Sequence, residues 1–155
     1  LFFSSIVLKH PDEALAILQV VEERYPNTFT TIDLHNEIIK IASESKNDLL
    51  LISHAQKILA LQKQFKSSPL SPMIEFNYIE ALKRLGRDRE ALEVIQAIPQ
   101  ERISLKDKIR FFYYAGELSL KLGEKEKAKA YFTQCVENNE TSSWKNICQE
   151  NLKLF

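Results

Sequence analysis

The chain is poor in the residues that build turns, and it has no excess of charge of either sign. Its 155 residues include only three glycines, five prolines and two cysteines. This scarcity argues against a β-sandwich or barrel, which needs a tight turn after each short strand. The 21 basic and 21 acidic side chains cancel, so no net field attracts the chain to nucleic acid or to an anionic membrane. No apolar run approaches the roughly 20 residues of a membrane span, so direct membrane insertion is not expected.

What the chain does contain favours helices that pack around a sizeable core. Apolar residues make up 45% of it and charged residues 27%, which are ordinary globular values. One segment shows how two helices would pair, with a small residue in each helix allowing a close approach and aromatic rings on either side. The residues that carry this pattern are Phe112, Ala115, Gly116, Ser119, Gly123, Ala128 and Phe132.

This spacing resembles the tetratricopeptide repeat, in which W-x2-L-G-x2-Y on one helix is followed by A-x3-F on the next. The resemblance implies an all-α fold, a right-handed α-solenoid of antiparallel helical hairpins with about 3.5–4 repeats. Such a hairpin cannot bury its apolar face alone, so each one stacks on its neighbours. A generic solenoid of helical hairpins is the alternative.

The resemblance predicts a single repeat domain over residues 1–155, with repeats at roughly 1–26, 30–66, 72–103 and 108–140 and a final helix over 142–154. The small-large steps of the second helices are Ala14–Leu18, Ala55–Leu59, Ala91–Ile95 and Ala128–Phe132, with Gly86 and Gly123 at turns and Trp144 opening the last signature. The four alanines are separated by 41, 36 and 37 residues, whereas a strict array repeats about every 34. We therefore assign a longer turn to the second repeat, whose register is the least defined. We interpret Leu1–Leu8 as the back half of a helix, and the chain as a fragment of a longer protein.

The resemblance also implies a ligand surface, because the first helix of each repeat lines the concave groove in this family. The implied groove residues are Phe76, Glu80, Lys83 and Arg84 in the third repeat, and Tyr113, Glu117, Leu120 and Lys121 in the fourth. Acids stand where some relatives carry the asparagine that grips a C-terminal carboxylate, so basic or apolar ligands are expected instead. The alternative is that these are ordinary amphipathic surface residues.

Neither the cysteines nor the histidines form a recognisable chemical motif. Cys135 and Cys148 are either buried free thiols or, in an exported protein, a disulfide. The compartment is therefore open: cytoplasmic or, with the cysteines paired, periplasmic or otherwise exported. His10, His35 and His54 are far apart in sequence, and we assign the first to a turn and the other two to helix surfaces. No metal site, cofactor or catalytic constellation is predicted.

Three functions follow as hypotheses. The leading one is a non-catalytic protein-protein interaction scaffold that binds a partner peptide or domain in its groove. The second is an architectural spacer in a larger bacterial cell-envelope or motility assembly, which contacts its neighbours through edges and ends. The third, an enzyme or a sensor of a small ligand, has no catalytic residues in its favour. Partner identity and oligomeric state are not readable from the sequence.

Overall fold

The structure is a computed structural model that describes residues 11–26, 31–64 and 72–155. Within these ranges the chain forms eight α-helices and one short 3-10 turn, Gln100–Arg102, and no strand. The helices are α1 (Pro11–Arg24), α2 (Thr31–Glu44), α3 (Asp48–Gln64), α4 (Met73–Arg84), α5 (Asp88–Gln96), α6 (Leu105–Lys121), α7 (Lys125–Glu137) and α8 (Ser143–Leu152). The predicted all-α class is confirmed, and the architecture is consistent with an α-solenoid of helical hairpins. The right-handed superhelix and the number of repeats stay predictions.

The chain divides into two compact units, residues 1–68 and residues 69–155. The first contains α1 to α3 and the second α4 to α8. Two predictions lie outside the described residues, namely the helix over Leu1–Leu8 and the turn at His10. The side chain of Ala14 is also not described.

Three helix pairs, α2–α3, α4–α5 and α6–α7, are joined by the same turn. One residue in each turn has a left-handed backbone: Lys46 with φ 55°, Gly86 with φ 72° and Gly123 with φ 79°. The next residue then donates its N–H to a carbonyl in the last turn of the helix, at 2.9 Å from Asn47 to Ala42 and 2.8 Å from Glu124 to Ser119. This is the Schellman arrangement that ends many helices. The longer turn predicted for the second repeat is therefore wrong.

The shared turn fixes the register of the second repeat. Ala55 follows Lys46 by as many residues as Phe132 follows Gly123, and Leu51 stands in the place of Ala128. The Ala55–Leu59 step is therefore shifted by one helical turn from the true equivalent, Leu51–Ala55. The sequence was misleading because this repeat reverses the usual order: the large residue, Leu51, precedes the small one, Ala55. The alanine that matches the A-x3-F pattern therefore lies where the other repeat has its phenylalanine.

In two of the three hairpins the paired helices compensate for one another in volume. Gly116 in α6 opposes the ring of Phe132, because a Cβ atom built on Gly116 would lie 2.7 Å from that ring. At the equivalent positions the α2–α3 hairpin has Ile39 and Ala55, both buried. A large residue in one helix is thus matched by a small one in the other, in keeping with dense interior packing. The α4–α5 hairpin differs, because both equivalent positions hold buried isoleucines.

A Lys46→Gly variant is expected to be more stable than the wild type by about 0.5–1 kcal/mol. A lysine in the left-handed region has a steric cost of about 1 kcal/mol that glycine avoids, and Gly86 and Gly123 hold the equivalent places in the other two turns. Urea denaturation followed by circular dichroism measures the change. The matched control is Gly123→Ala, which should be destabilising, and a Lys46→Gly variant with lowered stability would contradict the assignment.

Each unit has its own apolar core. In the first, Leu18 of α1 packs with Ile38 and Ile41 of α2. In the second, Ile109, Ala128 and Phe132 are fully buried together with Cys135 and Cys148. The two cysteines are joined in the structure as a disulfide between α7 and α8. The last helix is thus attached to its neighbour by a covalent bond as well as by packing.

Candidate functional site

Three helices of the 69–155 unit contribute side chains to one cluster of rings and charges, partly buried and partly accessible, which we call the aromatic face. Its residues are Phe76, Glu80 and Lys83 of α4, Arg110, Tyr113, Tyr114 and Glu117 of α6, and Trp144 of α8. Two of these helices begin with a side-chain cap: the Ser104 hydroxyl accepts from the Asp107 N–H at the start of α6, and the Ser142 hydroxyl accepts from the Trp144 N–H at the start of α8.

Arg110 organises the rings of this face. Its guanidinium carbon lies 4.9 Å from the ring centre of Phe76, 5.3 Å from Tyr114 and 5.4 Å from Trp144. The same guanidinium donates to the Tyr114 hydroxyl from Nη2 at 2.8 Å and from Nε at 3.0 Å. Such cation–π contacts strengthen as water is removed. Phe76 and Tyr114 are fully buried beneath this arrangement.

A second cation, Lys83, holds the two acids of the face. Its Nζ lies 2.5 Å from Glu117 and 3.8 Å from Glu80, and it stands 5.0 Å from the ring centre of Tyr114. Only 13% of the lysine side chain is exposed. A single lysine therefore serves both carboxylates and links α4 to α6.

The two tyrosines are protected from ionisation. Burial, followed by the carboxylate of Glu117, raises the pKa of Tyr113 to about 12. Burial and a hydrogen bond to Glu80 raise the pKa of Tyr114, and Arg110 opposes that effect. Both phenols are consequently neutral near pH 7 and present aromatic surface rather than charge. Tyr113 is half-buried, and its ring centre lies 4.9 Å from that of the half-buried Trp144, with the two rings tilted by 37°.

The predicted groove residues differ in burial and in the side chains that surround them. Phe76, expected to contact a ligand, is instead completely covered by its own chain, because Arg110 and Tyr114 of the next first helix lie over it. Leu120 packs against the core of the unit, and Lys121 lies 3.9 Å from Asp88 at the start of α5. Arg84 is exposed. Glu80, Lys83, Tyr113 and Glu117 do come together, and their role in binding stays a prediction.

Sequence reasoning missed Arg110 and Tyr114, and it assigned Trp144 only a structural place in the repeat. The signal available was the spacing, since Arg110 and Tyr114 are one helical turn apart and so lie on the same side of α6. Which side that would be depends on how α4 and α8 pack against it. Only the folded unit decides this.

A separate cluster of titratable side chains lies in the first unit, with one residue from each of its helices. His35 of α2 and His54 of α3 are 2% and 3% exposed, so their assignment to helix surfaces is wrong. Their Nδ1 atoms are 2.8 Å apart. Glu22 of α1 lies 3.7 Å from Nε2 of His35 and 3.8 Å from Nδ1 of His54, and it accepts from Lys57 at 2.6 Å. The sequence did not indicate this cluster, because its residues are far apart along the chain.

The comparisons with known proteins concern the second unit. The family model described as "Tetratricopeptide repeat" matches residues 111–142, which cover most of α6, all of α7 and the turn between them. No curated protein matches the chain. Among the described helices, none combines the length and apolar character that crossing a membrane would require. The resemblance predicted from Phe112–Phe132 is confirmed over the matched residues. This part of the chain therefore matches a tetratricopeptide repeat, a helical hairpin that is typically a non-catalytic module for binding other proteins.

Proposed function

We propose that the protein is a non-catalytic interaction scaffold that binds a partner peptide or domain through the aromatic face of the 69–155 unit. The observation that carries the proposal is the pair Tyr113–Trp144, two large rings that stack on one another and remain partly accessible. Tyrosine and tryptophan are enriched among the residues that dominate binding energy in protein interfaces.

The charges of the face favour an apolar anchor over a basic one. Glu80 and Glu117 share Lys83, and Arg110 adds a second positive charge against the rings. Two acids and two cations balance, so a basic ligand would meet carboxylates that already have a partner. An aromatic or aliphatic side chain packed against Tyr113 and Trp144 needs no ion pair to be broken. Of the basic and apolar ligands expected from the sequence, the apolar class fits better.

The face is also preorganised. Phe76 and Tyr114 are buried and Arg110 is held by two hydrogen bonds to Tyr114. A ligand would therefore immobilise few side chains on binding, which limits the entropic cost of association. This supports a rigid docking surface for a short segment, either extended or helical.

The proposal is tested by a Tyr113→Ala variant of the complete protein. Partners are first identified by crosslinking capture and mass spectrometry, and their affinities are then measured by calorimetry. We expect the variant to lose about thirty-fold in affinity, the effect of a hot-spot residue worth about 2 kcal/mol. A Glu117→Lys variant, which also removes a partner of Lys83, should weaken binding as well.

The matched control is Tyr131→Ala. Tyr131 is also a half-buried tyrosine of the same unit, but it lies on α7 and packs near Phe112. The Tyr131→Ala variant should retain full affinity for the partner. Equal losses in the Tyr113 and Tyr131 variants would indicate general destabilisation, and unchanged affinity in both would remove the aromatic face from consideration.

One observation favours the architectural alternative. The last helix and the residues after it carry exposed apolar side chains, with Ile147 at 40%, Leu154 at 72% and Phe155 at 42% exposure. A neighbour that continued the stack of hairpins would cover them. In that case Leu154→Glu, and not Tyr113→Ala, would abolish assembly in the capture experiment.

A further inference from the structure

We propose that Glu22, His35 and His54 form a binding site for one Zn²⁺ ion, which fastens α1 to the α2–α3 hairpin. The three side chains come from three different helices of the first unit, and one ligand atom of each lies within 4.8 Å of the others. Two imidazoles and one carboxylate form a donor set that zinc commonly takes in proteins.

The ligand atoms lie close enough for such an ion after side-chain rotation. Tetrahedral zinc with bonds of about 2.0–2.2 Å keeps its ligand atoms about 3.3–3.5 Å apart. Glu22 lies 3.7 Å from Nε2 of His35 and 3.8 Å from Nδ1 of His54, and the 2.8 Å separation of the imidazoles joins their two Nδ1 atoms. With one ligand atom taken from each side chain, no pair is farther apart than 4.8 Å. Zinc would draw the most distant pair together by up to about 1.5 Å, within the reach of ordinary side-chain rotation.

Packing alone does not require histidines at these positions. The two repeats can be aligned on the left-handed residue of their turns, Lys46 and Gly123. In that alignment His35 corresponds to Phe112, and His54 corresponds to Tyr131. In the repeat of the second unit the same two positions therefore hold Phe112 and Tyr131, whose ring centres are 6.5 Å apart. The histidine ring centres are 5.0 Å apart. A phenylalanine and a tyrosine fill this place elsewhere in the chain, so the nitrogens add metal-binding chemistry that the packing does not need.

The protonation states are those that a metal requires. Burial lowers the pKa of His35, and it lowers that of His54 to about 4, so both imidazoles are neutral near pH 7. Burial raises the pKa of the Glu22 carboxyl, but the hydrogen bond from Lys57 lowers it, and the net shift is downward, so the carboxyl is ionised near pH 7. Metal ligands must be deprotonated in this way before they can bind.

The site is accessible, and it contains a competitor for the ion. Glu22, His54 and Lys57 line an open pocket together with Ser53. The ammonium group of Lys57 lies 2.6 Å from Glu22, and 48% of the lysine side chain is exposed. It neutralises the carboxylate in the absence of metal and can swing into solvent when the ion arrives. Three protein ligands leave a fourth coordination position for water from the pocket.

The test is a calorimetric titration of the chelator-treated complete chain with Zn²⁺ alone near pH 7.5, followed by the visible spectrum of the Co²⁺ form. We expect one ion per chain and a tetrahedral Co²⁺ spectrum. The double variant His35→Phe/His54→Tyr installs the ring pair of the other repeat, so it should fold. It should lose zinc affinity by at least about 100-fold, since even the loss of a residue that only hydrogen-bonds a metal ligand costs about 10–100-fold.

Two further comparisons separate a metal site from a hydrogen-bonded histidine pair. Glu22→Gln should weaken zinc binding at least about 10-fold, whereas Glu23→Gln, at the exposed neighbouring acid, should not. Lys57→Met should tighten binding, because the competing cation is gone. The absence of saturable binding in the wild type, or equal zinc affinity in the wild type and the double variant, would overturn the proposal.

Discussion

A Gly116→Ala variant is expected to lower the free energy of unfolding of the 69–155 unit by about 1–3 kcal/mol. The direction is informative, because replacing glycine by alanine inside a helix ordinarily stabilises it by about 0.5–1 kcal/mol. Here the new Cβ atom would lie 2.7 Å from Cε1 and 2.8 Å from Cδ1 of Phe132. That ring is fully buried beside Ile109 and Ala128, and dense interior packing opposes its displacement. The clash therefore outweighs the gain in helix propensity.

The same measurement in a Phe132→Leu background isolates the contact. Leucine removes the ring atoms that meet the new methyl group, so Gly116→Ala should become neutral or stabilising there. Urea denaturation followed by the fluorescence of Trp144, the one tryptophan in the chain, reports on this unit. If Gly116→Ala stabilised the protein with Phe132 intact, the helices of this hairpin would not approach as closely as described.

Loss of the disulfide between Cys135 and Cys148 is expected to lower the free energy of unfolding by about 3 kcal/mol. The bond closes a loop between residues separated by 13 positions, and a loop of about 15 residues loses roughly that much conformational freedom in the unfolded chain. The bond also attaches α8, which carries Trp144 of the aromatic face. Reduction should therefore loosen the face as well as destabilise the unit.

The measurement is urea denaturation with and without a thiol reductant, alongside a thiol assay of the untreated protein. The double variant Cys135→Ala/Cys148→Ala provides the control, since its midpoint should match that of the reduced wild type and should not respond to reductant. Two reactive thiols in the untreated, denatured protein would show that the bond does not form. A disulfide that persists would agree with an exported protein.

The parts of the fold that the sequence predicts well are local ones. The α6–α7 hairpin follows from the spacing of Gly116, Gly123, Ala128 and Phe132, because helix periodicity and a glycine turn are properties of neighbouring residues. The α2–α3 hairpin was harder, because its turn uses Lys46 in a conformation for which lysine gives no signal. Its register became clear only from the backbone of that turn.

The candidate sites depended on contacts between helices, which spacing along one helix does not reveal. Nothing near Phe76 in the sequence indicates that Arg110 will cover it. The sequence alone does not indicate a partner for the carboxylates of Glu80 and Glu117, whereas in the structure Lys83 forms an ion pair with both. The aromatic face was thus half predicted, with Tyr113 in place and its neighbours Arg110 and Tyr114 missed.

By itself, the sequence determined the helical class, the hairpin of residues 111–142 and the balance of charge, because each follows from residue type and short-range order. The tertiary structure alone decided that His35 and His54 meet beside Glu22, and that three aromatic rings from different helices gather around Arg110. Those encounters depend on how whole helices are placed against one another. Many weak packing contacts fix that placement together, and no single motif encodes it.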